Sequence, residues 1–406
     1  MSSKINKIDI FELGEKGKEI SSPWSSTILL VRLTSDDGKE GWGEAPTTLM
    51  TLPVKESMRE VARVFQGANF FNVEKNLKDF YRNSFYLSRS MEATSALSAF
   101  EIASWDLIGK ELGAPIYNLL GGEYNNKIRA YANGWYSDCI TPDDFVKKGK
   151  EVMKMGFTAM KFDPFGPHYD KITKEGVNYA REIVGTLRAE LGDEVDLLIE
   201  CHGRFSTHWA IEAGKVMDEF EPLFIEEPIH PEQELGLLEF KRYVSTPVAL
   251  GERLLNKTDF ARYISQGMVD IIQPDLTNSL GIFEAKKTAS IAETFGVPVA
   301  FHNAFGPIQT AATLNVDYTL PNFLIQESFE GFWPDWKKNL LKTGYKLDKG
   351  YFTLPGKPGL GVEVSEKILE TNVVDGMEPF EAGEPPWVVS GTFKDHETLS
   401  RSSPWT

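Results

Sequence analysis

Eight short apolar segments recur between residues 127 and 328, and this repeat limits the possible folds more than any other feature. They cover residues 127–134, 157–163, 195–201, 222–228, 247–253, 269–275, 298–303 and 323–328. Most intervals between them carry an amphipathic pattern with helical spacing, as in residues 142–156 and 281–296. Strands that alternate with helices form parallel sheets, and eight such units favour a closed barrel.

A doubly wound open sheet is the structural alternative. A glycine-rich phosphate loop would follow the first strand of a dinucleotide-binding fold, and none follows residues 127–134.

The region before the predicted barrel has a different sequence pattern. Residues 27–46 predict a hairpin with an Asp-Asp-Gly turn, and residues 95–113 predict a helix that ends at Gly113.

Composition excludes several classes of partner. The net charge of −16 argues against nucleic acid and anionic membranes, and no apolar run approaches the roughly 20 residues that span a bilayer. The only two cysteines, Cys139 and Cys201, exclude a disulfide framework, so we expect a cytoplasmic protein. An acidic protein that binds an anionic substrate needs a local cation at its site.

The ends of the predicted strands are polar in a coordinated way. From the third to the eighth strand, the terminal side chains are Glu200, Glu226 with Glu227, Glu252, Asp275, His302 and Glu327. In a parallel barrel the active site lies at this end of the strands. Carboxylates gathered there would repel each other unless a positive charge lay among them, and three oxygen ligands suit Mg²⁺ rather than zinc.

The spacing of these residues is regular. Glu226 follows Glu200 by 26 residues, and Glu252 follows Glu226 by another 26, which places the three on adjacent strands. His202 lies two residues after Glu200, so its side chain should point the same way, into the mouth of the barrel.

In combination, seven motifs resemble the mandelate-racemase subgroup of the enolase superfamily, and most closely its sugar-acid dehydratases of the galactonate and gluconate type. They are GWGEAP (41–46), FIEEP (224–228), GER (251–253), QPD (273–275), HNAFGP (302–307), IQE (325–327) and KPGLGVE (357–363). The resemblance implies a (β/α)7β modified TIM barrel with an N-terminal α+β capping domain. We expect the capping domain over residues 1–125, the barrel over 126–330, and a C-terminal segment over 331–406 that packs back on the capping domain.

The same resemblance implies roles for individual residues. Glu200, Glu226 and Glu252 would be the Mg²⁺ ligands, although aspartate is commoner in the family at the first of these positions. Asp275 and His302 would form a dyad with His302 as the base. Glu327 would be an acid near the substrate carboxylate, and His202, in the HGR motif, would be the acid for loss of the 3-hydroxyl group.

The residues of the second predicted strand distinguish dehydratases from racemases. Racemases of the subgroup carry Lys-x-Lys there, whereas this chain has Lys161, Phe162 and Asp163. Lys161 can offset charge on a substrate carboxylate, but Asp163 replaces the second lysine, so a base on that face is missing. One base and one acid suit elimination of water.

We therefore predict Mg²⁺-dependent conversion of an aldonate (gluconate, galactonate or a pentonate) to its 2-keto-3-deoxy acid. The predicted substrate-binding residues are Lys161, Asp163, His168, Trp24 and Arg253. An epimerase or cycloisomerase on the same scaffold is one alternative, and a non-catalytic sugar-acid binder is another. The resemblance also implies a homo-oligomer, possibly an octamer.

Overall fold

The first sheet forms the hairpin that the sequence predicts and adds one strand to it. The structure, a computed structural model, describes residues 3–15, 27–47, 51–87 and 89–374. Three antiparallel strands lie in the order β1 (Ile5–Gly14), β2 (Thr27–Ser35) and β3 (Glu40–Ala45). Gly38, with φ of 86°, takes the left-handed conformation that the turn between β2 and β3 requires.

Helices follow β3 along the chain, and the longest of them, Met91–Leu112, packs across one face of the sheet. They are α1 (Thr51–Phe65), α2 (Val73–Asn83), α3 (Met91–Leu112) and α4 (Ile116–Leu119). The α3 helix begins after Ser90, whose side chain accepts a hydrogen bond from the Ala93 amide, and it ends at Gly113, as predicted. A Cβ atom on Gly43 would lie 1.8 Å from the carbonyl oxygen of Ala99, so β3 packs against α3 only because this position is glycine.

Parallel strands then close into the predicted barrel. They are β4 (Ile128–Ala132), β5 (Ala159–Phe162), β6 (Asp196–Glu200), β7 (Phe224–Glu226), β8 (Val248–Leu250), β9 (Ile271–Ile272) and β10 (Gln326–Ser328). The strands from β4 to β9 pair in chain order, and β10 pairs with β4. The predicted strand at 298–303 forms only isolated bridges, such as Asp275 with His302. Pro274 and Pro298 lack the amide hydrogens that a continuous ladder would need there.

Helices surround the barrel, and side chains fill its interior. The helices are α5 (Pro142–Lys154), α6 (Lys174–Leu191), α7 (Thr207–Met217), α8 (Gly236–Tyr243), α9 (Lys257–Ser265), α10 (Gly281–Thr294) and α11 (Pro307–Asp317). Each of the eight predicted strand segments places one buried side chain in a separate interior cluster. The cluster consists of Tyr131, Ala159, Leu198, Phe224, Ala249, Ile271, Ala300 and Ile325. Polar strand-end residues can therefore gather only at the mouth of the barrel.

The last described segment joins the two domains. Its elements are α12 (Asp335–Lys338), β11 (Leu341–Thr343), β12 (Lys346–Asp348), β13 (Tyr351–Thr353), β14 (Glu363–Val364) and α13 (Glu366–Asn372). Short 3₁₀ turns cover Phe85–Leu87, Asp218–Phe220, Pro231–Gln233 and Glu330–Phe332. Strand β13 pairs with β4 of the barrel, whereas Asp106 of α3 accepts a hydrogen bond from the amide of Leu360 at 2.8 Å. The domain boundaries at 125 and 330 stay predictions. No helix in the described ranges is long and apolar enough to cross a membrane.

Candidate active site

The strand register brings the predicted carboxylates to one mouth. Glu200 ends β6 and is the register partner of Glu226, which ends β7. Glu252 comes two residues after β8. Glu327 lies in β10 opposite Tyr131 of β4. The closed order of the strands therefore arranges these acids around a single site.

Lys161 on β5 lies among three of these carboxylates. Its Nζ atom is 3.0 Å from Glu200 Oε2, 2.7 Å from Glu226 Oε2 and 3.0 Å from Glu327 Oε1. Burial alone would lower the pKa of Lys161, but the surrounding carboxylates raise it well above its ordinary value. Lys161 therefore supplies positive charge at the mouth of an acidic protein, as the sequence required.

His302 lies between two carboxylates. Its Nδ1 atom is 2.6 Å from Asp275 Oδ2, and its Nε2 atom is 3.0 Å from Glu252 Oε2. Burial would lower the pKa of His302, but the charges of Glu252 and Glu327 and the bond with Asp275 raise it well above its ordinary value. Burial would raise the pKa of Glu252, but the charge on His302 lowers it. The predicted dyad is in direct hydrogen-bond contact.

Asp275 is fixed by donors on both of its oxygens. Oδ1 accepts from the amide of Thr277 at 2.7 Å and from the amide of Asn278 at 3.1 Å. Oδ2, which contacts His302, also accepts from Gln309 Nε2 at 2.8 Å. A carboxylate with this many donors has one orientation, and it sets that of the imidazole. Gln309 was missed by the sequence reasoning, because its reach to Asp275 depends on how α11 packs.

His202 has a carboxylate partner of its own. Its Nδ1 atom is 2.9 Å from Asp163 Oδ2, and its amide donates to Glu200 Oε1 at 2.7 Å. Asp163 Oδ1 accepts from the fully buried Arg204 at 2.5 Å. Burial would raise the pKa of Asp163, but the charge of Arg204 and the bond with His202 lower it. The structure thus connects Asp163 of the second strand with His202 and Arg204 of the HGR motif, and the sequence gave Arg204 no predicted role.

A second ion pair supports the His202 loop. Arg253 Nη2 is 2.6 Å from Glu227 Oε2, and Arg253 Nη1 donates to the His202 carbonyl oxygen at 3.4 Å. His202 and Glu227 have φ angles of 53° and 46°, which residues other than glycine rarely adopt. The ion pair and the hydrogen bond of Arg253 help to hold the loop in this strained conformation. The sequence predicted Glu227 as a strand-end residue without a role, and the Glu-Glu doublet indicates a role separate from that of Glu226, because alternate residues of a strand point to opposite sides. A contact of Arg253 with substrate stays a prediction.

Two other predicted substrate-binding residues are placed differently. His168 is fully buried, and a Cβ atom on Gly176 would lie 2.2 Å from its Nε2 atom, so the ring packs against the start of α6. Among the described residues neither ring nitrogen of His168 has a hydrogen-bond partner. Trp24 lies outside the described residues. Substrate contacts of both therefore stay predictions.

The residues at the mouth fit a divalent cation in chemistry. Glu200, Glu226 and Glu252 offer oxygen donors from adjacent strands, as Mg²⁺ prefers. Glu226 Oε1 is buried, and within the described ranges it has no hydrogen-bond partner, which is costly without a cation or donor. In the side-chain arrangement of the described residues, no three His, Cys, Asp or Glu side chains already form a metal cluster. Lys161 contacts two of the three glutamates, and His302 contacts the third.

Comparison with known families agrees with this architecture. Residues 20–121 match the N-terminal domain of mandelate racemase and muconate lactonizing enzyme, and residues 144–368 match the enolase C-terminal domain-like family. The chain belongs to the mandelate racemase and muconate lactonizing enzyme family of the enolase superfamily. The predicted fold class, a (β/α)7β barrel with a capping domain, is thereby confirmed.

Individual relatives are similar along nearly the whole chain. A protein of Picrophilus torridus named D-gluconate/D-galactonate dehydratase is 69% identical over 96% of this chain and 99% of its own length. A D-gluconate dehydratase of Thermoproteus tenax is 41% identical over 93% of this chain and 76% of its own. Among solved structures, a mandelate racemase/muconate lactonizing enzyme-like protein from Roseovarius sp. TM1035 is 32% identical with a TM-score of 0.86, covering 94% of this chain and 100% of that one.

Proposed function

We propose that the chain is a hydro-lyase that dehydrates an aldonate sugar acid, with gluconate and galactonate as the first candidates. The names of two similar relatives, a D-gluconate/D-galactonate dehydratase and a D-gluconate dehydratase, support this class of reaction. The observation that carries the proposal is the presence of two histidine–aspartate pairs at the barrel mouth. His302 contacts Asp275, and His202 contacts Asp163, in each case through Nδ1.

The first step is removal of the proton on C2, next to the substrate carboxylate. His302 takes this proton on Nε2, because its Nδ1 is engaged with Asp275. Asp275 keeps the ring in one tautomer and stabilises the imidazolium that forms. The electron pair of the broken C–H bond moves into the C1–C2 bond, so negative charge builds on the carboxylate oxygens of the substrate.

The second step is loss of the hydroxyl group on C3. His202 donates a proton to this oxygen while the C3–O bond breaks and a C2–C3 double bond forms. One proton and one hydroxyl group leave the aldonate, which together make water. The enol that remains takes a proton at C3 and ketonises to the 2-keto-3-deoxy acid. Asp163 orients His202 in the way that Asp275 orients His302.

Two sources of positive charge serve this chemistry. Lys161 lies in the carboxylate cluster and can face the substrate carboxylate. Dehydratases of this superfamily are in general Mg²⁺-dependent. In this chain, Glu200, Glu226 and Glu252 are the residues that would hold the ion. A bound Mg²⁺ would offset both the charge that builds on the substrate carboxylate and the glutamate charge that raises the pKa of His302.

An epimerase would need a base on the face opposite His302. Asp163 lies at the position where a second lysine would provide this base. Its two carboxylate oxygens are paired with His202 and Arg204. This contact favours dehydration over the isomerase alternative.

Formation of a homo-oligomer and a cytoplasmic location stay predictions.

The test is incubation of the Mg²⁺-loaded protein with gluconate and with galactonate in D₂O. A dehydratase produces a 2-keto-3-deoxy acid with deuterium at C3. His302→Asn should abolish both C2–H loss and product, whereas His202→Asn should keep C2 exchange and lose product. Exchange at C2 without loss of water in the wild type would support an isomerase, and heat of binding without turnover would support a binder.

A further inference from the structure

Glu44 is a buried carboxylate of the capping domain that reaches the barrel. It lies on β3 in the GWGEAP motif and has no exposed surface. Its Oε2 atom accepts hydrogen bonds from the amides of Ile308 and Gln309, both at 3.1 Å. These amides belong to the first turn of α11, the helix that follows His302. A carboxylate at the start of a helix stabilises it through the free amides and the helix dipole.

The sequence of α11 leaves this position open for Glu44. Its N-cap residue is Gly306, which has no side chain to accept these bonds, and Pro307 follows. A Cβ atom on Gly306 would lie 2.5 Å from Glu44 Oε1. The helix is therefore capped from the other domain, by a residue more than 260 positions earlier in the chain.

The capped turn also carries the side chain that holds the catalytic dyad. Gln309 Oε1 accepts a hydrogen bond from the Phe305 amide at 2.9 Å, which fixes which end of the side-chain amide faces the dyad. Gln309 Nε2 then donates to Asp275 Oδ2 at 2.8 Å, the same oxygen that contacts His302 Nδ1. Contacts thus continue from Glu44 through the start of α11 and Gln309 to Asp275.

The C-terminal segment supports the same turn from another side. The Nζ atom of the fully buried Lys337 donates to the Phe305 carbonyl oxygen at 2.9 Å. Both backbone polar groups of Phe305 are therefore hydrogen-bonded to buried side chains. Its N–H donates to Gln309, and its carbonyl oxygen accepts from Lys337. The turn between His302 and α11 has little freedom to move while these contacts persist.

We infer that Glu44 is a positioning residue for C2 proton abstraction, acting through the first turn of α11 and Gln309 on the Asp275–His302 dyad. This inference rests on the proposed function. Docking of the capping domain thereby helps to position the catalytic base. Without Glu44, the amides of Ile308 and Gln309 lose their hydrogen-bond acceptor. The Gln309 side chain is then no longer held in the orientation that donates to Asp275.

The test is a double-mutant cycle read by C2–H exchange in D₂O on the Mg²⁺-loaded protein. Glu44→Ala and Gln309→Met should each lower kcat for exchange about 10- to 100-fold with little change in KM, as losses of residues that orient a catalytic group do. Because both act on the same dyad, the double variant should be no slower than the slower single variant. Glu44→Gln keeps one acceptor oxygen and should restore part of the rate. Rate losses that multiply in the double variant would overturn the inference.

Asp106→Asn is the matched control. Asp106 is also a buried capping-domain carboxylate, and it accepts from the amides of Trp42 and Leu360 without any contact to the dyad. We expect this variant to lower Tm but to keep kcat for exchange. If Asp106→Asn and Glu44→Ala lowered kcat equally at equal loss of stability, Glu44 would have only a structural role.

A measurement without substrate separates this inference from the proposed function. With ¹⁵N-labelled histidine, the proton between His302 Nδ1 and Asp275 should give a downfield signal that weakens or shifts in Gln309→Met and Glu44→Ala. If the wild type dehydrates no aldonate but this signal responds, the proposed function fails and the positioning role stands. If the wild type is active and neither kcat nor the signal responds, the positioning role fails alone.

Discussion

Asp163 Oδ2 lies 2.9 Å from His202 Nδ1, so the residue that replaces a racemase lysine is the partner of the proposed acid. The sequence showed only that a second base was missing at this position. The structure gives the aspartate a contact of its own, to a histidine in the turn that follows the neighbouring strand β6. Loss of one base and gain of an oriented acid are thus two effects of the same residue, and both favour dehydration.

Asp163→Asn should separate the two halves of the reaction. The neutral amide cannot stabilise protonated His202, and it also leaves the buried Arg204 without its charge partner. We expect product formation to fall about 10- to 100-fold while C2–H exchange in D₂O stays near the wild-type rate. Asp275→Asn is the matched variant on the other dyad and should lower both rates together. Equal loss of exchange in the two variants would contradict an acid-specific role for Asp163.

Lys161→Met should destabilise the fold strongly. It leaves Glu200, Glu226 and Glu327 buried without the cation that all three contact. Removal of one partner of a buried ion pair typically costs about 3–5 kcal/mol. Denaturant unfolding of the protein without added metal measures the loss. Lys215→Met is the control, because its ion pair with Glu212 is exposed and should contribute little. A similar small change in both variants would mean that Lys161 is not needed to hold the carboxylates together.

Much of this site could be predicted from the chain, and the rest depends on register and packing. Glu200 and Glu226 follow apolar strands at equal spacing, so their meeting at the mouth follows from the parallel fold alone. The contact of Asp163 with His202 required knowledge of how β5 and β6 align, with Phe162 opposite Ile199. Glu44 reaches α11 across a domain interface, and no local pattern encodes such a contact.

Mg²⁺ should stabilise the wild-type protein, and this effect should need Glu226. A ligand that binds only the folded state adds about 2.7 kcal/mol to the free energy of unfolding at 100 times its Kd. Glu226→Gln removes the negative charge of the middle one of the three proposed ligands. It should abolish most of the Mg²⁺-dependent increase in the free energy of unfolding. Titration calorimetry with MgCl₂ alone gives the affinities without any turnover. Glu212→Gln, on the exposed face of α7, should bind Mg²⁺ like the wild type, and unchanged affinity in Glu226→Gln would remove Glu226 from the proposed site.

Buried His168 should make stability depend on pH in acid. Burial, helped by the charge of Arg204, lowers the pKa of His168 from 6.5 to about 4. Between these values the unfolded chain binds a proton that the folded chain does not. The free energy of unfolding should therefore be highest above pH 6.5 and fall towards pH 4, by about 1.4 kcal/mol per pH unit from this group at most. His168→Leu should flatten the fall between pH 4.5 and 6, as measured by urea unfolding at several pH values. The same substitution at exposed His208 should keep the slope, and an unchanged slope in His168→Leu would mean that the His168 ring binds its proton equally well in the folded chain.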